Sequence, residues 1–152
     1  MNETIYVAHW EGPEVLDKHE AQAEHVIYAL YGAHHLYGRD VLLYIGKAEK
    51  GTAKRLPAHY QWTAEEYDPV TVRVASIGKF TTWDDWDEVD RYPRAKPDVV
   101  CAVEALLIIA HQPAYNSQGK KWTRLAKGLR VFNTGHLGHL LPEISSSYFL
   151  GK

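Results

Sequence analysis

Apolar and polar positions along the chain fall into a few distinct patterns, and each predicts an element. Val70 to Ile77 alternates strand formers with polar residues, the period of two expected of a half-buried strand. His25-Val-Ile-Tyr-Ala-Leu-Tyr31 and Val41-Leu-Leu-Tyr-Ile45 are denser runs of strand formers. Gly38-Arg-Asp40 marks a turn before the second run and Gly46 closes it, so the two predict a hairpin with a longish loop. Thr4 to Trp10 reads as a short strand broken by Gly12-Pro13. Glu14 to Glu24 reads as a weakly amphipathic helix, and Thr52 to Trp62 as a second helix with Pro57 as a blemish, since proline is tolerated only in a helix's first turn. Pro97-Asp98 opens a strong helix that runs to His111 and is ended by Gln112-Pro113. Glycines at 119, 128, 135, 138 and 151 predict irregular chain beyond, with a short strand at Leu129 to Asn133. The sum is one α/β domain: a small, mainly antiparallel three-stranded sheet flanked by helices.

Composition narrows this picture. A chain of 152 residues with 45% apolar content is one domain with a real core. No run reaches the ~18 apolar residues a membrane-spanning helix needs, and the longest, Val99 to Ala110, is interrupted by Glu104. The N-terminus lacks the basic and apolar regions of a secretory signal. Cys101 is the single cysteine and lies in that apolar run, so a reduced, cytoplasmic (intracellular) protein with a buried thiol is expected. The net charge of −2 does not announce a nucleic-acid binder. Yet Ala105 to Pro142 holds no acid at all, while Lys120, Lys121, Arg124, Lys127 and Arg130 fall inside it. Such a window is either a solvated loop face or a surface that tracks phosphates.

Four features carry candidate chemistry. Glu104 has apolar neighbours along its helix, where a carboxylate must be paired, metal-bound or placed on the one polar stripe. Tyr28 and Tyr44 lie on adjacent predicted strands and converge if they share a face. Lys47 follows Gly46 where the chain leaves the sheet. Arg55 and His59, four residues apart, would stack on one helical face. Arginine and lysine near a carboxylate suit a phosphodiester, because the guanidinium grips phosphate oxygens bidentately and the ammonium adds a point charge. Other features read as structural. Trp83 to Asp90 holds five acids and reads as a solvated connection pinned by its tryptophans. His34-His35 reads as a loop pair, and His136 with His139 lacks the further ligands of a zinc site.

The order of these residues carries more than any one of them. Val26-Ile-Tyr28 followed by Leu43-Tyr-Ile-Gly-Lys47 resembles the paired motif of the GIY-YIG nuclease family, with Val26 where the family name has glycine. Arg55 and His59, then Glu104, then Asn116 in Pro113-Ala-Tyr-Asn116 follow in the family's order, and Arg55-x-x-x-His59 resembles its restriction-enzyme-like members. The resemblance spans Val26 to Gly119. It implies a metal-dependent DNA endonuclease with one Mg²⁺ or Mn²⁺ ion held by Glu104. It also implies Tyr28 as the general base and Arg55 as the phosphate clamp. Tyr44 would position water or phosphate, Lys47 and His59 would assist the tyrosine, and Asn116 would orient the site. A free tyrosine has a pKa near ~10, so its proton needs such assistance at neutral pH. Lys120, Lys121, Arg124, Lys127 and Arg130 would then contact DNA, and a homodimer or partner protein would complete a double-strand cut. Two alternatives stay open: a repair-type nickase, and a DNA-binding scaffold with a degenerate nuclease fold.

Overall fold

The computed structural model describes residues 3–16, 26–49, 52, 56–59, 69–83, 94–116 and 125–150. Its centre is a six-stranded mixed sheet rather than a three-stranded one. The strands are β1 (Thr4–Val15), β2 (Val26–His34), β3 (Gly38–Ala48), β4 (Thr71–Lys79), β5 (Leu129–Gly135) and β6 (Glu143–Ser145), in the spatial order β3-β2-β4-β1-β5-β6. Every neighbouring pair is antiparallel except β1 with β5, which run parallel from Thr4↔Leu129 to Trp10↔Gly135. Two helices are named among the described residues, α1 (Pro97–His111) and the single turn α2 (Ser147–Leu150). The expected α/β architecture of three strands flanked by helices is therefore wrong. Half of the strands (β1, β5 and β6) lie outside the stretch from Val26 to Gly119.

The reasons are local. Gly12-Pro13 does not end β1. The register slips between Glu11 and Glu14, and the proline sits in that bulge, where no ladder donor is needed. Gly12 has φ 114°, and a Cβ there would lie 2.8 Å from the carbonyl oxygen of Val72, so only glycine lets the backbones approach. Glu14 and Val15 continue the strand, so the helix expected from Glu14 does not start there; 17–24 lie outside the described residues. The hairpin loop is short, not longish. β2 and β3 extend to His34 and Gly38, which pair with each other around a turn at 35–37. Of the helix expected at Thr52 to Trp62, Thr52 is helical and Leu56–His59 forms one 3₁₀ turn containing Pro57, with 53–55 and 60–62 outside the described residues. β5 runs two residues beyond the expected Asn133, and β6 forms where irregular chain was expected.

α1 follows its pattern from end to end: Pro97 opens it, and Gln112 in the left-handed region closes it ahead of Pro113. It packs on one sheet face. Val100, Val103, Leu106 and Leu107 meet Ala8, Trp10, Ile27, Ala29, Tyr31, Ile45, Ala75 and Ile77. The opposite face gathers Val26, Tyr28, Leu30, Leu43, Leu56, Val70 and Val72 into a second core. Both faces of β2 are thus covered, and the alternation Val26, Tyr28, Leu30 against Ile27, Ala29, Tyr31 decides which residues share a site. No helix among the described residues is long and apolar enough to cross a membrane.

Candidate active site

The pairing of β2 with β3 sets the geometry. Tyr28 lies opposite Gly46 and Leu30 opposite Tyr44, so both tyrosines stand on the face away from α1. Their ring centroids are 6.1 Å apart and the rings are stacked. The 3₁₀ turn brings His59 to the same place. Its ring lies 4.6 Å from that of Tyr44, and its Nε2 is 2.7 Å from the Tyr28 hydroxyl, a buried hydrogen bond. Tyr28 is fully buried, His59 nearly so, and Tyr44 is half-buried. Gly46 makes this possible. A Cβ there would lie 2.5 Å from the Tyr28 hydroxyl oxygen and 2.7 Å from a Tyr44 ring carbon. Gly46 does not close the strand as expected, since β3 continues through Lys47 to Ala48; inside the strand it vacates the space the phenol occupies.

Asn116 is buried and holds the outer edge of β3. Its side-chain oxygen accepts from the Ile45 N–H and its side-chain nitrogen donates to the Ile45 carbonyl, both at 2.9 Å. The segment leading to it lies along the same edge, with the Tyr115 N–H donating to the Leu43 carbonyl at 2.7 Å. Asn116 thus acts on backbone two residues from Lys47 and one from Tyr44 and Gly46. It ties the end of α1 to the strand that carries them.

Lys47 lies opposite Ile27, on the α1 face, and so points away from Tyr28. Its ammonium meets the Cys101 sulfur and lies 3.0 Å from a Glu49 carboxylate oxygen. The sulfur and then the carboxylate push its pKa above the usual lysine range, so it stays charged. Cys101 is half-buried rather than buried as expected. Glu104 stands one turn further along α1, three residues on, where helical neighbours share a side. It too is half-buried, among Cys101, Ala102 and Ala105, so α1 is not apolar all round. The structure thus gathers Tyr28, Tyr44 and His59 on one face, places Lys47 and Glu104 on the other, and joins the two at the β3 edge through Asn116. Arg55 lies outside the described residues.

The expected phosphate track fares differently. Lys120, Lys121 and Arg124 lie outside the described residues. Lys127 is exposed in a turn. Arg130 is committed elsewhere: it forms ion pairs with Glu3 and Glu143, and its guanidinium lies 5.8 Å from the Tyr148 ring centre. Its strand β5 is four strand spacings from β3, about 19 Å. Arg130 is therefore a clasp between β1, β5 and β6.

For a metal, the described residues offer no cluster of three or more His, Cys, Asp or Glu. On the α1 side the carboxylates are the half-buried Glu104 and the exposed Glu49, which is paired with Lys47. That donor set fits only a cation that keeps most of its waters, as Mg²⁺ does, with further ligands supplied by substrate. Comparison with protein-family models, with curated proteins and with solved structures found no match.

Proposed function

We propose that this domain is a metal-dependent DNA endonuclease of the GIY-YIG kind, and that the buried Tyr28–His59 hydrogen bond carries the reading. A phenol placed 2.7 Å from an imidazole nitrogen can pass its proton on. As the Tyr28 proton moves to His59 Nε2, the phenolic oxygen takes a proton from the attacking water. The water oxygen bonds to phosphorus, and the bond to the leaving 3′ oxygen breaks. Tyr44, half-buried beside both, orients the water or phosphate. Arg55 clamps the phosphate, and Asn116 fixes the β3 backbone against which these groups are aligned. Glu104, on the opposite face of the sheet from Tyr28, would hold the Mg²⁺ or Mn²⁺ ion, and that ion would neutralise charge on the scissile phosphate and leaving oxygen only where DNA passes round the β3 edge that separates the two faces.

One observation favours a second reading. Tyr28 is sealed, its hydroxyl engaged by His59 and its ring packed on Tyr44, which suits a DNA-binding scaffold that keeps the fold without the reaction. Incubation of the protein with supercoiled plasmid in Mg²⁺ or in EDTA separates the two. The nuclease reading expects nicked or linear product with Mg²⁺ alone, and loss of product with Glu104→Ala while DNA is still bound. Nicked circles without linear product would select the single-strand activity. Full cutting by Glu104→Ala would remove the metal assignment, and binding with no cleavage of any DNA would select the scaffold.

A further inference from the structure

The β2–β3 hairpin carries a second aromatic group at its tip. The His34 ring lies 4.5 Å from that of Tyr37 and 4.7 Å from that of His35, with interplanar angles of 19° and 20°. Tyr115, from the segment that lines β3, approaches the same imidazole at 5.7 Å. The arrangement is built rather than incidental: His34 Nδ1 accepts hydrogen bonds from the backbone N–H groups of Leu36 and Tyr37, which fixes the turn and holds Tyr37 parallel to it. Tyr37 is 71% exposed, Leu36 74% and Tyr115 37%. Tyr37 and His35 thus face outward on either side of the half-buried His34, although aromatic rings ordinarily bury their faces.

We infer that this tip is a stacking platform for unpaired nucleobases, so that the domain engages single-stranded or flapped DNA beside its cleavage site. Near-parallel rings with exposed faces match a planar base, whose stacking does not depend on its identity. An apolar helix would instead need a concave apolar groove. The position fits the reading above, on which this inference rests. A Cβ on Gly32, near the tip, would meet Leu43 and Val70 of the Tyr28-side core, and Ala114 packs against that core. The platform therefore stands at the turn of the same hairpin that carries Tyr28 and Tyr44. From Gly38 to Tyr44 along β3 is roughly 20 Å, a few nucleotides of extended strand.

The test uses the full chain and fluorescein-labelled oligonucleotides in EDTA: a single strand, a blunt duplex and a duplex with a single-stranded flap, with cleavage of the same DNAs scored separately in Mg²⁺. Tyr37→Ala should weaken binding of the single strand and the flap by between about 5-fold and 150-fold, the worth of one stacked base. It should leave the blunt duplex unchanged, and Tyr37→Phe should retain the affinity. Because Tyr37 is exposed, its loss does not threaten the fold, and unchanged unfolding of Tyr37→Ala would verify this. Equal affinity of wild type and Tyr37→Ala for the single strand would overturn the platform, whether or not plasmid is cut. Absence of cutting with a Tyr37-dependent single-strand affinity would instead overturn the nuclease reading and leave the platform standing.

Discussion

Replacement of Gly46 by alanine tests the site with one methyl group. In an ordinary strand position outside the left-handed region, Gly→Ala stabilises by about 0.4–1 kcal/mol through the unfolded chain. Here the new Cβ would lie 2.5 Å from the Tyr28 hydroxyl oxygen, 2.7 Å from the carbon that bears it and 2.7 Å from a Tyr44 ring carbon. Ordinary contact starts near 3.4 Å, so both rings must retreat by most of an ångström. Tyr28 is fully buried with its hydroxyl bonded to His59, so it has no empty space to enter. Such overpacking costs about 1–3 kcal/mol, and stretching the hydrogen bond forfeits about 1 kcal/mol more. After the entropic gain, the net expectation is destabilisation by roughly 1–3 kcal/mol, a fall in Tm of at least about 2–4 °C for a chain of this size. Urea unfolding followed by tryptophan fluorescence measures it. In the double variant Tyr28→Phe with Gly46→Ala, the closest clash is gone, so the two effects should combine to less than their sum by at least ~0.5 kcal/mol. A Gly46→Ala protein as stable as wild type, or strictly additive behaviour, would refute the packing argument.

Three further outcomes are expected. Asn116→Ala strips both hydrogen bonds from Ile45 and should destabilise by about 2–4 kcal/mol, read by urea unfolding, with faster amide exchange at Ile45 and Tyr115. Tyr28→Phe should stay folded but lose nearly all plasmid cutting; full cutting would move the base to His59. His111 is held neutral: burial depresses its pKa, the Leu107 carbonyl opposing, while Nδ1–H donates to that carbonyl and Nε2 accepts the Leu141 N–H at 2.9 Å. A depressed histidine contributes stability that is present above its unfolded value near ~6.5 and is lost as pH falls through the lower folded value. Between pH 8 and pH 5 the wild type should lose about 1 kcal/mol more stability than His111→Gln, the worth of the Leu141 bond; parallel pH profiles would contradict this.

What the sequence disclosed depended on how local each feature was. α1 was legible to the residue because Pro97 and Gln112-Pro113 punctuate it and its apolar spacing is strong. The strands around Tyr28 and Tyr44 were legible because they pair as sequence neighbours, and the strand around Val72 because its own period of two is strong, although its partners β2 and β1 lie tens of residues away. β1's passage through Gly12-Pro13 was not, because a proline in a bulge and a proline at a strand end look alike without the partner strand. β6 is three residues long and is held partly by Asn133, which accepts from Trp10 and donates to the Leu141 carbonyl, contacts more than a hundred residues apart in the first case. In the site, the tyrosine pair and His59 could be picked out from their order along the chain. The facing of Lys47 could not, because it turns on the register between β2 and β3, where a slip of one residue reverses the side. Arg130 read as a phosphate contact because its partners Glu3 and Glu143 come from outside the acid-free window.

The parallel pairing of β1 with β5 has a kinetic consequence. The hairpin of β2 and β3 closes over a three-residue turn and can form as soon as it is made. β1 pairs with β4 across 56 to 73 residues and with β5 across 125, so the first strand synthesised is among the last to be completed. Until Leu129–Gly135 arrives, one side of β1 is a bare edge next to Val7, Ala8 and Trp10, a template for joining another chain. Long-range pairings of this kind slow folding. A ribosome stalled before residue 129 would therefore hold a hairpin already shaped around Tyr28 beside an open, adhesive sheet, and chaperone dependence should fall sharply once the last two strands emerge.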